Sequence, residues 1–499
     1  MTRSGIDIIP LKVKNPEKPD FAGDYVLDKL VLINHLGFKV DIKFLMQELN
    51  IYESIYKNAI TGTIVIGDEG NQIARMSVQG LERIAFYLKT PGVTYGKKDV
   101  IDASEETGHP FHVYKVSNRF QVTSGLTIYT LHFASREFMR NIRTKVSQAY
   151  DGKYDRAVID IMKDENYLDS RKKLYYETTG NQNKIVIPNL MPFEAISMIA
   201  KKSVSAKSNN VGYYFYETTS GYYFRSWASM ITNQGEFARP PRQDFYYQPQ
   251  RMDDHSNATK QNKIEREFQS VEQYQFVNNF HDVVSNTILG TYAHRVISHN
   301  LFDKSYNIND YNYHNQYNKT PHTDTVEPNT GNRYPVMDTP VDYDNAKRIS
   351  DFAESRVSLQ TTAPFLHDKD VGSYGLDAIQ DGKKISEAIS QSNQVTQGVA
   401  LKLTVRGQSN LQAGDLIAFH LKDVNTAISE NTPDPHFSGN YIITKIRHQV
   451  QGDSYRMILE CAKDSVATSY SDLRKNQGNV HETNQSFIEL EEIDEDIGY

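Results

Sequence analysis

The clearest hydrophobic pattern of the chain lies near its C-terminal end, within residues 398–462. Val399, Leu401, Leu403 and Val405 occupy every second position, with polar or small residues between them. Because side chains alternate between the two faces of a strand, this spacing predicts a β-strand with one buried face. Further strands are predicted at 416–421, 441–450 and 455–461. Four strands joined by turns predict an antiparallel meander whose edges must close or be covered.

A similar alternation predicts strands in the N-terminal half. Ile60, Ile64 and Ile66 share one face of a predicted strand. Other strands are predicted at 40–46, 81–89, 111–123 and 127–133. Residues 38–135 are therefore predicted to form one β-barrel-like domain, after an extended N-terminal arm at 1–37.

The spacing becomes helical after Ser135. Helices are predicted at 135–142, 154–166 and 191–200, and Pro192 suits the first turn of the last one. Two tyrosine-rich runs within 212–226 predict a β-hairpin. Residues 136–287 thus form a predicted α+β cassette.

A second strand-rich domain is predicted at 288–465. It contains a long polar excursion at 305–395, with a short helix expected from Ile385 to Val395. Such a stretch is typical of a functional loop or a partner contact rather than of a core. The tail at 466–499 carries seven acidic residues and no Lys or Arg from Glu482 on. It predicts either a solubilising tail or a docking peptide that orders on a partner.

Several short motifs add a family resemblance. A strand ending at Gly407 is followed by the corner Ala413-Gly414-Asp415, then by a strand that opens with Ser438-Gly439. Gly414 suits a corner because glycine adopts backbone conformations that other residues avoid. This ordered series resembles the closing barrel of baseplate hub proteins of contractile-tailed phages, which are related to the N-terminal part of type VI secretion spikes.

Three other segments resemble the same family. They are Glu53-Ser54-Ile55 with the strand after it, the helix and hairpin within 192–226, and the strand within 290–306. The residues that the resemblance marks as structural motif positions are Gly62, Gly221, Gly290, Gly407, Ala413, Gly414, Asp415, Ser438, Gly439, Tyr441 and His448.

The resemblance implies a β-rich α+β fold, in which two tube-like antiparallel β-barrel domains at 38–135 and 288–465 flank the inserted cassette. It implies a structural hub at the centre of a phage baseplate in the virion, assembled in the host cytoplasm. A homotrimeric ring would have pseudo-sixfold symmetry, because each subunit supplies two similar units. That ring would join the hexameric tail tube to the trimeric central spike. The implied partners are the central spike protein, the first ring of tail tube protein and baseplate wedge proteins.

Charge and composition limit the function further. The chain has 55 Lys and Arg against 62 Asp and Glu, so its net charge is -7. This balance argues against a general nucleic-acid binder. The resemblance implies that DNA passes through the lumen during genome ejection without sequence-specific binding, which an acidic or neutral wall would favour. The 32 tyrosines suit either protein interfaces or a β-rich fold.

No catalytic motif is visible, so an enzyme is not predicted, and neither a cofactor nor a metal is expected. His109 and His112 are three positions apart, which on a strand would place them on opposite faces. Cys461 is the only cysteine and excludes an intrachain disulfide. A buried structural thiol is predicted there, with contact between three copies on a trimer axis as the alternative. Neither a signal peptide nor a membrane-spanning segment is predicted.

Two alternatives remain open from the sequence. One is a receptor-binding or cell-wall-degrading tail protein, for which a compact monomer with glycan affinity is expected. The other is a distal tail protein, for which a hexameric ring with one barrel per chain is expected. An annular trimer distinguishes the hub from both.

Overall fold

The computed structural model describes residues 19–69, 78–91, 100–123, 125–180, 183–232, 243–247, 260–278, 282–301, 304–317, 319–324, 347–362, 374–422, 434 and 436–466. The strands are β1 Val26–Ile33, β2 Lys39–Asp41, β3 Met46–Ser54, β4 Thr61–Glu69, β5 Arg83–Lys89, β6 Val100–Asp102, β7 Phe111–Thr123, β8 Leu126–Ala134, β9 Val146–Gly152, β10 Leu174–Tyr176, β11 Asn183–Leu190, β12 Tyr213–Thr218, β13 Gly221–Ser226, β14 Asp244–Tyr246, β15 Val271–Asn278, β16 Ala293–Asn300, β17 Tyr306–Asn312, β18 Val357–Thr362, β19 Val399–Arg406, β20 Leu416–His420, β21 Gly439–Gln451 and β22 Ser454–Lys463. The α-helices are α1 Arg136–Arg143, α2 Tyr154–Lys163, α3 Pro192–Lys202, α4 Trp227–Ile231, α5 Lys260–Phe268, α6 Val283–Ile288, α7 Tyr313–Tyr317 and α8 Tyr374–Gln397.

Strands from both predicted β-domains form one sheet of 14 strands, together with β1 from the predicted arm and with β14 and β15 from the predicted cassette. Its main path runs β15-β19-β22-β21-β3-β4-β8-β7-β5-β1-β2, with β20 and β14 beside β21 and β6 beside β5. The two halves of the chain meet where β21 pairs with β3 in antiparallel register, from Lys445 opposite Ser54 to Gln451 opposite Glu48. This path does not close on itself within one chain, so the described residues confirm a strand-rich fold but not two closed barrels.

The predicted alternation is realised in this sheet. Along β19 the apolar positions are buried and the positions between them are half-exposed. The same division runs across neighbouring strands, whose inner sides form one core that includes Ile64, Leu131, Leu403 and Leu459. Burying a Leu or Val side chain contributes about 1.5–3 kcal/mol, so this face holds the two halves of the chain together.

The predicted meander is wrong in one respect. β19 pairs with β22, while β20 pairs only with β21 and β14. The cause is the corner before β20, where the Gly414 N–H donates to the Ile443 carbonyl (2.8 Å) and the Ile443 N–H donates to the Asp415 carbonyl (2.9 Å). These bonds place β20 beside the first part of β21, along the edge whose other part is taken by β3.

The cassette has its own core. The sheets β9-β11 and β10-β13-β12 pack with α2 and α3 around residues that include Val158, Ile161, Ile196 and Phe224. The three predicted helices and the hairpin are all present, with ends that differ by a few residues. Helix α3 begins at Pro192, and the Glu194 carboxylate accepts the Met191 N–H at 3.0 Å as a cap.

The described parts of the excursion contain more regular structure than the sequence predicts, while 318, 325–346 and 363–373 lie outside the described residues. Strands β16, β17 and β18 form a separate sheet with β16 in the middle, and α8 lies against it. The short helix expected at Ile385 is the second half of the 24-residue α8. The arm expected at 1–37 likewise contains β1, which pairs with β5 and β2. No helix in the described ranges is long and apolar enough to span a bilayer.

Candidate functional site

Three of the sequence motifs meet at one buried carboxylate, Glu53, near the end of β3. Its side chain is 1% exposed. One oxygen, Oε2, accepts the Ala413 N–H of the corner, and Oε1 accepts the Thr219 N–H at the tip of the hairpin, each at 3.1 Å. The His448 Nε2 atom lies 3.8 Å from Oε1. Glu53 therefore joins the first half of the sheet, the cassette and the second half.

The corner has the backbone shape that the motif predicts. Gly414 has φ +87°, and a Cβ there would overlap the Tyr216 hydroxyl of the hairpin. The Asp415 Oδ2 atom accepts the Gln412 N–H at 3.0 Å, which fixes the turn. Gln412 in turn accepts a hydrogen bond from the Thr218 hydroxyl at 3.2 Å. The corner is thus fitted to the hairpin tip rather than exposed to solvent.

Gly407 and His448 belong to the same region. The Tyr455 ring occupies the space where a Gly407 side chain would stand. The Tyr455 Oη and His448 Nδ1 atoms are hydrogen-bonded at 2.7 Å. Burial and the Glu53 charge raise the pKa of Tyr455 well above its usual value. A neutral phenol is consequently maintained beside the carboxylate.

A second buried charge cluster connects the cassette to the first half. Lys172 lies between the carboxylates of Glu137 (3.0 Å) and Glu217. The Glu217 Oε2 atom also accepts the Ile60 N–H at 2.8 Å. Burial opposes the charge on Lys172, but the two carboxylates outweigh it and raise its pKa to about 12. Burial raises the pKa of Glu217, whereas Lys172 and Ser170 overcome burial and lower that of Glu137.

The glycines Gly62 and Gly221 permit close approach near these clusters. A Cβ at Gly62 would overlap the Phe133 ring on β8. Gly221 has φ +135°, and a Cβ there would overlap the Lys173 carbonyl oxygen. Both positions therefore serve packing between neighbouring segments.

Ser438, Gly439 and Tyr441 lie at a different junction. The buried Lys463 donates to the Ser438 carbonyl (2.6 Å) and pairs with Asp324 (2.9 Å). Asp324 belongs to the excursion, and burial raises its pKa although Lys463 opposes this. The Lys463 ammonium lies over the Tyr441 ring, 5.3 Å from its centroid. The Tyr441 hydroxyl donates to the Phe437 carbonyl at 2.7 Å. Through Lys463 and Asp324, this junction joins the excursion to the end of β22.

Gly290 stands apart from the other motif positions. It has φ +74° and precedes β16, and its carbonyl is hydrogen-bonded to His294 Nδ1 at 2.9 Å. The motif residues thus divide into the Glu53 region, the Lys463 junction and this isolated turn.

The sequence patterns do not identify five residues of these junctions, namely Glu137, Lys172, Glu217, Asp324 and Lys463. One signal was available for Glu217, which follows an unbroken aromatic run and was therefore a charged residue in a buried strand. The others stand in mixed surroundings, so only the folded structure reveals their burial.

One side of the main sheet is lined by charged and polar residues, and we name it the polar face. It is the outward side of the strands β15, β19, β22, β21, β3, β4, β8 and β7. It carries the ion pairs Arg447–Glu48 (3.1 Å), Lys445–Glu460 (2.5 Å) and Arg406–Glu272 (2.8 Å). This face crosses the seam between β21 and β3 without interruption.

Within the described ranges, no group of three or more His, Cys, Asp or Glu residues is arranged to hold a metal ion. Cys461 is buried, and burial raises the pKa of its thiol well above the usual value. His109 precedes β7, which begins at Phe111, so the alternation of strand faces does not apply to the pair, and both residues line one cavity.

No family model and no curated protein matches the chain. Three solved structures are similar over most of its length. A tail protein from Neisseria meningitidis has 12% identity and TM-score 0.48, with 88% of this chain and 97% of that chain covered. A 43 kDa prophage tail protein from Shewanella oneidensis has 8% identity and TM-score 0.46, with coverage of 88% and 98%. An E. coli component of the type VI secretion system has 9% identity and TM-score 0.40, with coverage of 89% and 78%.

At these identities and TM-scores, the likeness by itself assigns no role to this chain. The chain is similar in fold to a bacterial tail protein, to a prophage tail protein and to a type VI secretion component.

Proposed function

We propose that the chain is a structural hub of a contractile phage tail and forms a homotrimeric ring between the tail tube and the central spike. The observation that carries the proposal is the run of eight antiparallel strands from β15 to β7, to which each half of the chain contributes four. These two sets of strands are the candidates for the two tube-like units of the resemblance, although β15 belongs to the segment predicted as the cassette at 136–287 and lies before the unit predicted at 288–465.

Within the part of the chain that the structure describes, the run ends at β15 in an unpaired edge and at β7 in an edge that is unpaired over most of its length. Within the described residues, no strand pairs with the outer side of β15, and the outer side of β7 is paired with β5 only at Phe111 and His112. An even number of alternating strands makes β7 and β15 opposite in direction. A second copy could therefore add its β7 beside β15 and continue the antiparallel order, a head-to-tail contact that can close into a ring.

The polar face is our candidate for the wall of the channel. It carries six Lys or Arg and four Glu among the described residues, namely Lys115, Lys402, Arg406, Lys445, Arg447 and Arg456 against Glu48, Glu69, Glu272 and Glu460. This balance departs from the acidic or neutral wall expected from the sequence. Because several of these cations are already paired, we expect only weak and salt-sensitive contact with DNA.

The sheet of the excursion offers a surface for baseplate partners. Its face away from α8 exposes Tyr306 (68%), Ile308 (53%), Val357 (52%) and Leu359 (70%). Neighbouring strands place these side chains together, since Ile297 stands opposite both Ile308 and Leu359. Exposed apolar groups that form one patch are typical of protein contacts, so we assign spike or wedge binding to this face. The acidic tail proposed as a second contact lies outside the described residues.

The proposed role requires no catalysis and locates the protein in the virion tail. Glu53 and Lys172 would serve it by keeping the two tube-like units and the cassette in a fixed relation. A rigid subunit is needed, because a ring closes only if the angle between successive contacts is constant.

The test is the native mass of the full chain, alone and with the spike protein of the same phage. We expect a ring of about three times 57.1 kDa in light scattering and negative-stain images. A monomer that remains monomeric with the spike present would refute the hub, and glycan and peptidoglycan binding would then be measured. A hexameric ring would favour the distal tail protein.

A further inference from the structure

A cavity of about 320 Å³ lies where β5 and β7 of the main sheet meet α1 at the start of the cassette. Its wall contains six basic or imidazole side chains, from Arg83, His109, His112, Arg136, Arg171 and Lys172. None of these residues belongs to the motifs that resemble the hub family. The cavity is therefore a feature that the proposed function leaves unexplained.

The strand register accounts for this concentration of charge. Arg83, the first residue of β5, stands directly opposite His112 on β7. His112 in turn stands opposite Ala134 at the end of β8, and α1 begins two residues later at Arg136. Partners on adjacent strands project to the same side, so the Arg83 and His112 side chains stand next to each other.

The carboxylates at the cavity are already engaged. Glu105 Oε2 lies 2.5 Å from Lys39 Nζ, and Glu137 binds Lys172 at 3.0 Å and the Ser170 hydroxyl at 2.7 Å. These two are the acidic residues of its wall.

The cations are not equally engaged. Arg136 pairs with Asp169 at 2.6 Å. Arg83 and Arg171, by contrast, form no ion pair or side-chain hydrogen bond with another described residue. Arg171 is exposed and Arg83 is half-buried, so both guanidinium groups can be reached from solvent. The cavity consequently has a surplus of positive charge and of unused N–H donors.

Burial and these positive charges lower the pKa values of both histidines in the wall. Burial, together with the charges of Arg83, Arg136 and Arg143, lowers the pKa of His112 to about 4 although Glu137 opposes the shift. Burial and Lys172 likewise lower the pKa of His109. Both imidazoles are therefore neutral at pH 7, and each can still donate one N–H to a bound group.

We propose that this cavity binds an oxyanion, either a phosphate or a carboxylate group, through Arg83 and Arg171 with His112 as a further donor. A guanidinium presents parallel N–H groups that match the spacing of oxygens in both kinds of anion. The anion would supply the negative charge that the wall lacks. Its source is either a free phosphate ion or an acidic side chain of a neighbouring protein.

The experiment compares the full-length protein with the double variant R83Q/R171Q by isothermal titration at pH 7 and constant ionic strength. The probes are inorganic phosphate and glutarate. We expect the double variant to bind at least about tenfold more weakly, because it lacks the charged N–H donors of both guanidinium groups. The control K57Q/R156Q removes the same charge from two exposed positions and should bind as the unaltered protein does.

The two probes distinguish the sources of the anion. Tighter binding of phosphate would indicate a free phosphate ion, and tighter binding of glutarate a protein carboxylate. Binding of neither probe, or equal binding by the double variant and the control, would overturn the proposal. Circular dichroism and the melting temperature establish that the double variant is folded.

A second readout follows His112 itself by NMR of protein labelled at the histidine Cε1 carbon, with H112Q to assign the signal. A bound anion stabilises the imidazolium form, so phosphate should raise the pKa of His112 from about 4 in the unaltered protein. In R83Q/R171Q the addition of phosphate should leave the pKa of His112 unchanged. An unchanged titration at saturating phosphate would contradict binding in this cavity.

Discussion

At the scale of single residues, the chain is organised by buried charges whose partners come from distant parts of the sequence. Glu53 binds backbone N–H groups of the hairpin tip and of the corner. Lys172 connects two carboxylates, one on α1 and one on β12. A buried ion pair is weak evidence for net stability, but removal of one partner leaves the other charge uncompensated. Such residues therefore specify one arrangement of segments over others.

The substitution Glu53→Gln should destabilise the protein by about 1–3 kcal/mol, because one carboxylate oxygen is replaced by an amide that cannot accept the N–H facing it. The free energy of unfolding in urea measures the loss. The control is Glu69→Gln at the exposed end of β4. Equal stability of the two variants would mean that Glu53 does not hold the motifs together.

The substitution Lys172→Met should cost about 3–5 kcal/mol at pH 7, because Glu137 and Glu217 would remain buried without a cation. The raised pKa of Lys172 means that its contribution is present below pH 10.5 and is lost as the pH rises through about 12. The lowered pKa of Glu137 means that its contribution is present above its ordinary pKa and is lost on acidification.

The loss of folding stability caused by Lys172→Met should therefore become smaller as the pH falls towards 4, because the two carboxyl groups become neutral in the variant. Thermal unfolding from pH 4 to pH 9 measures this dependence. Lys57→Met at an exposed site is the control and should show no such dependence. A cost that is constant across this pH range would show that the cluster is not held by charge.

At the scale of elements, the seam between β3 and β21 decides how the molecule unfolds. Seven residue pairs join these strands, and both are flanked by further paired strands. The core beneath them is continuous across the seam. The predicted division into two separate barrel domains would give independent units, whereas a shared sheet and core give one cooperative unit.

Hydrogen exchange tests this directly. We expect the amides of β3 and β21 to exchange at similar and slow rates, because neither strand can open without the other. Amides of β17 and β18 should exchange faster, since these are the edge strands of a small sheet. Exchange of β3 more than about tenfold slower or faster than that of β21 would indicate separate domains.

At the scale of the whole molecule, the open ends of the eight-strand run have the largest consequence. An exposed strand edge associates with other strands unless it is covered or charged. Phe120 on β7 (54% exposed) and Val277 on β15 (65% exposed) leave both ends apolar in part. The proposed ring satisfies both edges with one type of contact.

The double substitution F120D/V277D should therefore lower the native mass from trimer to monomer without loss of folding, because like charges would face each other across the contact. Sedimentation velocity and circular dichroism measure the two properties. Val186→Asp, at a 52% exposed position of the cassette sheet, is the control and should remain trimeric. A trimer in the double variant would exclude these edges from the interface.

The sequence by itself determined the local structure. The alternation of Val399 to Val405, the helix start at Pro192 and the corner at Gly414 follow from rules that act over a few residues, and the structure agrees with them. Periodicity specifies which side of a strand is buried, but it does not determine which other strand pairs with it. The pairing of β19 with β22 was for that reason predicted wrongly.

Only the tertiary structure decided which distant residues share a site. Glu53 and Ala413 are 360 positions apart, and no local pattern encodes their contact. His109 and His112 line a cavity whose other residues include Arg83, the start of α1, Arg171 and Lys172, and their spacing in the sequence does not indicate these partners. Which segments pack against each other depends on the burial and hydrogen bonding of the whole chain. The positions of the buried charged residues follow from that packing.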